Sequence, residues 1–332
     1  MINIGITDIE LKELPHIVET ISLSETSTIE DVIHFDPIEH KYTNSRGEEY
    51  LSVTRFLSLF HEHFSDVEDF WLLYKAIQYC SDIDKEVKIK KYNKDLDLKI
   101  NSRILSKSDY SNYISYAIQY CNKSYDCLAS YLGKALVDLL NPAVVLIKES
   151  WVIKNKEANE KGTLIHNLEE ERLYSDGFYE YKGIKYPVHS SAEVDLRNLK
   201  VGVYPELRLH NHKYKLSGTS DVVLVLPGRR IKIIDYKSNE SLIFVNSYNT
   251  KMLAPISHLS DCNGVHYNIQ LSIYGWMLKQ FGYSVEPTVD IIYINSTYIN
   301  KQLKKDDPIT YEMKFLEKEV EEMLEYYVIT KT

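Results

Sequence analysis

The chain has 332 residues, 44% apolar and 26% charged, a composition that supports one large core or two modest ones and excludes extended disorder. Its net charge of −9 argues against a protein that coats nucleic acid through nonspecific phosphate contacts, while leaving room for a local basic groove or for metal ions that offset phosphate charge. Cys80, Cys121, Cys127 and Cys262 contain no CxxC pair, so neither a disulfide framework nor a cysteine zinc site is indicated.

The acid-rich opening "MINIGITDIELKELP" has no signal-peptide core, and no run approaches eighteen apolar residues, which predicts a cytoplasmic protein without a membrane partner, or a host-cell location for a viral source. Residues 33 to 53 read as two short strands around an Asn44-Ser45-Arg46-Gly47 turn, followed by a capped helix in "SVTRFLSLFHEHF". From Asp66 to about Lys156 the apolar spacing is helical, interrupted by the charged stretch at 81 to 99, read as a solvated face or mobile loop. A boundary is placed between residues 140 and 141, with a hairpin and helical region before it and the main core after it.

After Tyr186 the pattern changes. Segments 201 to 210, 213 to 226, 231 to 237 and 288 to 295 are β-branched and bounded by turn residues, and the short Asn211-His212 and Pro227-Gly228 connections make the first three antiparallel neighbours. Residues 267 to 282 read as a helix with Gly282 as its C-cap, and "YEMKFLEKEVEEMLEYYV" as an amphipathic helix. The sum is an α/β or α+β core, a central sheet flanked by helices, behind a mostly helical N-terminal region.

Chemistry enters at "IKIIDYKSNE", residues 231 to 240. Alternation along a strand puts Asp235 and Lys237 on one face. A tight turn through Pro227-Gly228 would bring Asp221 beside Asp235, and two carboxylates that close repel unless a cation such as Mg²⁺ or Mn²⁺ lies between them. On the helix in "KGTLIHNLEEERLY", His166 and Glu170 share a face, and Gly162 would let the helix approach the sheet or a ligand closely. Gln270 and Tyr274, four apart, could present an amide and a phenol to a substrate, and Glu206 is a further acid on a neighbouring strand.

The ordered set "GTLIH" (162 to 166), "PE" (205 to 206), "GTSD" (218 to 221), "IIDYK" (233 to 237) and "QLSIY" (270 to 274) resembles the PD-(D/E)XK nuclease superfamily, in particular its RecB-like exonuclease branch, which includes phage exonucleases and the mitochondrial genome maintenance exonuclease. The likeness covers roughly residues 145 to 300, and "HKYTNSRGEEYLSVTRFL" is similar to the N-terminal hairpin and helix of phage members. It implies a restriction-endonuclease-like core and a Mg²⁺- or Mn²⁺-dependent deoxyribonuclease acting on DNA ends. His166, Asp221, Asp235 and the backbone carbonyl of Tyr236 would be metal ligands, and Glu170 would support that shell. Lys237 would lower the cost of forming hydroxide from the attacking water and stabilise charge on the attacked phosphorus. Gln270 would steady the site, Tyr274 would reach the DNA, and Glu206 is the least secure carry-over.

Iron–sulfur members of the branch carry three cysteines after the QxxxY helix; this chain has none after Cys262, so no iron–sulfur cluster is expected. No GxxxxGK[ST] loop occurs, so a helicase, recombinase or single-strand-binding partner would be a separate chain. The histidine clusters "HEHF" and "HNHK" read as turn or solvent-exposed residues. Two alternatives stay open: an endonuclease, including one selective for DNA structure, and a noncatalytic nucleic-acid-binding or structural protein that keeps the nuclease fold.

Overall fold

The β-branched stretch from Gly202 to Lys237 forms the centre of the molecule, three long strands joined by short turns. The computed structural model describes residues 33–36, 39, 41–81, 89–91, 94–96, 105, 107–192, 194–239, 241–246, 249–299 and 302–331. In chain order its elements are β1 (Ile33–Asp36), β2 (Lys41–Asn44), β3 (Glu49–Ser52), α1 (Val53–Leu57) with a 3₁₀ turn at Ser58–Phe60, α2 (Phe64–Ser81), β4 (Ile89–Lys91), β5 (Lys94–Leu96), α3 (Lys107–Tyr120), α4 (Tyr125–Leu132) and α5 (Lys134–Asp176). There follow β6 (Phe178–Tyr181), β7 (Ile184–Pro187), β8 (Gly202–Asn211), β9 (Leu216–Leu226), β10 (Arg230–Lys237), α6 (Asn263–Lys279), β11 (Ser284–Val285), β12 (Thr288–Tyr293), β13 (Ser296–Ile299), β14 (Gln302–Lys305), β15 (Ile309–Lys314) and α7 (Glu317–Lys331).

The main sheet runs β1-β2-β3-β9-β10-β12-β15, with β8 also paired to β9 and β11 to β10. β9 is antiparallel to β8 and β10, while β3–β9 and β10–β12 are parallel, so the sheet is mixed and the fold is α+β as the sequence predicts. Strand alternation divides the side chains between two cores. Val223, Val225, Ile231 and Ile233 pack against Val53 and Phe56 of α1, Ile273 and Met277 of α6, and Val320 and Leu324 of α7. Val222, Leu224, Ile234 and Tyr236 face the opposite way, onto Ile165 and Leu173 of α5. Burying each such side chain contributes about 1.5–3 kcal/mol, so the sheet is held firmly from both sides.

A third cluster, with Leu72, Leu73, Ile77, Leu128, Leu140 and Ile147, joins α2, α4 and the first half of α5. The 43-residue α5 runs through Pro142 and belongs to two cores at once. The boundary expected between residues 140 and 141 therefore falls inside a helix, and β1–β3 with α1 join the sheet rather than the helical region.

Other expectations are corrected locally. Residues 33 to 53 hold three strands, not two. The charged stretch at 81 to 99 begins on the last residue of α2 and contains the β4–β5 hairpin, and the rest of it lies outside the described residues. The segment expected to open the last helix instead forms the strand β15 on β12: Tyr311, Met313 and Phe315 pack on the core at every second residue, a strand spacing that prevails over helix propensity. α6 starts at Asn263 and is capped by Gln280, with Gly282 in a left-handed turn (φ +85°) beyond it. Among the described residues, no helix is long and apolar enough to cross a membrane.

Candidate functional site

The β9–β10 ladder carries Ile234 opposite Val222, so the next position sets Asp235 beside Asp221. The regular ladder stops there. Asp221 Oδ2 accepts the backbone N–H of Tyr236 at 2.8 Å, turning a side chain into the partner that a strand would otherwise supply. Both carboxylates are buried. Lys237 shares a face with Asp235, as alternation requires, and its Nζ pairs with Asp235 Oδ2, while the Tyr236 ring points into the α5-side core.

Two more elements reach this end of the sheet. α5, anchored through buried Ile165, brings His166 Nδ1 to 3.2 Å from Asp221 Oδ2. In β8 the register passes from Pro205 opposite Val222 to Leu207 opposite Ser220, skipping Glu206, whose φ is +49°. A non-glycine residue held there stores about 1–3 kcal/mol of strain, which the flanking ladder must over-determine. Ligand atoms of His166, Glu206 and Asp221 all lie within 4.8 Å of one another. Glu206, the least secure residue in the sequence, thus completes this trio; Asp235, expected as a direct ligand, stands beside it, paired with Lys237. Half-buried Glu170 lies close enough for its charge to act on Glu206.

Crowding of acids sets the electrostatics. Burial, then the charge of Asp221, pushes the Asp235 carboxyl up to about 7 against the pull of Lys237. Burial, then Asp221, pushes Glu206 up to about 8. Asp221 is also penalised by burial, yet its hydrogen bond to His166 and the charge of Lys237 hold it below the usual carboxylate range. Burial works against the charged form of His166 and Lys237, but Asp221 raises the first, and Asp235 with Asp221 raises the second. Oxygen and imidazole donors converging with surplus negative charge fit a hard divalent ion such as Mg²⁺ or Mn²⁺.

The helix α6 backs the site. Gln270 Nε2 donates to the Tyr274 hydroxyl at 3.1 Å, and Tyr274 is 3% exposed, packed over Gly218 of β9. A Cβ at Gly218 would come to 2.7 Å from the Tyr274 ring, so this glycine is what permits the close approach. Tyr274 is thus buried in the core, and its phenol is satisfied by Gln270 rather than presented to a substrate. Gly162, by contrast, has room: an added Cβ would meet only Ser238 Oγ at 3.9 Å, so the close contact expected there is not made.

Tyr267 escapes a motif-based reading. Its ring lies 4.8 Å below Lys237 Nζ, and its hydroxyl donates to Asn239 Oδ1 at 2.8 Å, holding the loop after β10 against α6. Its spacing, one turn before Gln270, is the available sequence signal. No protein-family model matches the chain, and no curated protein matches it. Among solved structures, one titled "Crystal structure of SSO0001" is similar at 12% identity and a TM-score of 0.23, covering 81% of this chain and 89% of that one. A likeness that loose carries no argument about fold or chemistry.

Proposed function

We propose that this chain is a metal-dependent DNA exonuclease that hydrolyses phosphodiester bonds to 5′-phosphate products, serving viral or phage DNA replication, recombination or degradation. The observation that supports this reading best is the meeting of His166, Glu206, Asp221, Asp235 and Lys237 at one sheet end, contributed by α5, β8, β9 and β10. His166, Glu206 and Asp221 would hold a Mg²⁺ or Mn²⁺ ion, with Asp235 adjoining. When bound, the ion supplies charge neutralisation at the phosphate and lowers the cost of ionising a water.

The protein's own residues divide the remaining work. Lys237 stays protonated between Asp235 and Asp221, so it acts as a fixed positive charge and hydrogen-bond donor toward the charge that builds on the attacked phosphate, not as a general base. Tyr236 N–H fixes the Asp221 carboxylate, which in turn orients the His166 ring. Gln270 and Tyr274 hold α6 against β9 and act as positioning residues. The test is incubation with Mn²⁺ and end-labelled linear and closed circular DNA, single- and double-stranded. Shortening of linear DNA with intact circles is expected; cut circles would make it an endonuclease, and binding without cutting in any metal would overturn the enzymatic reading.

A further inference from the structure

A second cluster, of residues other than those of the carboxylate site, lies at the start of α6. Ligand atoms of His61, Asp261 and His266 all come within 4.8 Å of one another. His61 follows the 3₁₀ turn at the entrance to α2, Asp261 ends the loop before α6, and His266 is in the first turn of α6. In the "HEHF" stretch, read as turn or solvent-exposed residues, His61 is half-buried, and its ring stacks on that of His266 with centroids 4.5 Å apart and planes 19° from parallel.

Each backbone that carries a ligand is tied down. The carbonyl of Phe60, itself 1% exposed, accepts the Leu253 N–H at 2.7 Å next to His61. Asp261 N–H donates to the Thr250 carbonyl at 2.9 Å, and its own carbonyl accepts Asn246 Nδ2 at 2.6 Å. The side chains are prepared for coordination as well. His61 Nδ1 meets the Glu62 carbonyl at 3.1 Å, a contact that puts the proton on Nδ1 and leaves Nε2 with the free pair. His266 Nε2 meets Asp261 Oδ1 at 2.8 Å, the separation of two donors that share either a proton or a metal. Glu62 does not compete, since its carboxylate is taken by Lys123.

We propose that His61, Asp261 and His266 form a second metal site that takes a borderline transition-metal cation such as Zn²⁺, with the remaining position open to water. Two imidazoles and one carboxylate are the donor set of that ion class, whereas the acid-rich cluster at the end of β10 suits a harder ion. Coordination through His266 Nε2 replaces its hydrogen bond to Asp261, and Nδ1 then carries the ring N–H. The site joins the segment between the 3₁₀ turn and α2 to the start of α6. The proposal stands independently of the nuclease reading.

The test uses the full-length, untagged, metal-stripped chain, titrated with Co²⁺ and read by visible ligand-field absorption, followed by displacement with Zn²⁺. Stoichiometric Co²⁺ bands lost on adding one equivalent of Zn²⁺ are expected. His61→Ala and His266→Ala should each weaken binding by about 100-fold, because even outer-shell partners of a metal are worth about 10–100-fold. Asp261→Asn, which keeps the size of the side chain, should weaken it in the same direction, with circular dichroism confirming that each variant folds. Asp221→Asn should leave these bands unchanged. Absence of stoichiometric bands, or bands lost in Asp221→Asn and kept in His266→Ala, would overturn the proposal.

Discussion

A buried lysine–aspartate pair lies toward each end of β10, and the two surroundings are built to opposite rules. Near one end Lys232, 1% exposed, pairs with Asp290 of β12 at 2.5 Å and donates to Thr288 Oγ1 at 2.6 Å, while Glu312 and Lys182 act on Asp290 with opposite signs: two cations, two anions, no surplus. At the other, Lys237 and His166 face Asp221, Asp235, Glu206 and Glu170. A balanced buried pair serves the fold, because neither charge can leave without stranding its partner. An unbalanced set is held in place by the fold and lacks one thing, positive charge, which is the condition under which a protein binds a divalent cation.

The largest effect that would test this contrast is on stability at the balanced end. Lys232→Met strands Asp290 and should cost about 3–5 kcal/mol in urea unfolding, while pairing it with Asp290→Leu should recover most of that loss. A single-variant loss below about 1 kcal/mol would mean that the pair is not a structural lock.

The unbalanced end should respond to pH with a defined sign. Asp235 and Glu206 are raised to about 7 and about 8, so the metal-free folded chain retains protons that the unfolded chain has released above about pH 4.5. Stability should therefore fall as pH rises from 5 to 8, and return as pH falls. Glu206→Gln should flatten the slope, as should saturating Mn²⁺; unchanged slopes in both would remove the case for crowded acids. At constant pH near 8, Asp235→Asn should raise metal-free stability by about 1 kcal/mol while weakening Mn²⁺ binding, the reverse of Lys232→Met. Calorimetric Mn²⁺ titration beside urea unfolding measures both. Smallest is Gly162→Ala on α5 near the end of β10: with only Ser238 Oγ at 3.9 Å, it should stabilise by roughly 0.5–1 kcal/mol through helix propensity, whereas a loss would restore the close-packing role read from the sequence.

Much of the site was legible because strand geometry is local. The shared face of Asp235 and Lys237 follows from a two-residue period, and Asp221 beside Asp235 follows from the Pro227-Gly228 turn. What sequence could not carry is what depends on distant partners or rare backbone. Lys232 reads as an interruption of an apolar run until β12 supplies Asp290. Glu206 enters the cluster through a left-handed conformation that no acidic residue advertises, and Tyr274 looks available until Gly218 is seen beneath it. β15 was hidden by helix-forming residues whose alternate positions pack on the core.

The proposed metal-dependent phosphodiester hydrolysis rests on the unbalanced end of β10. It is tested most directly by the rate of Mn²⁺-dependent degradation of linear DNA in Asp235→Ala and Lys237→Ala, each first shown to be folded by circular dichroism and urea unfolding. Either change should lower the rate by at least about 100-fold, the scale of losing one preorganised charge-stabilising group. Degradation at the unaltered rate in both variants would contradict it.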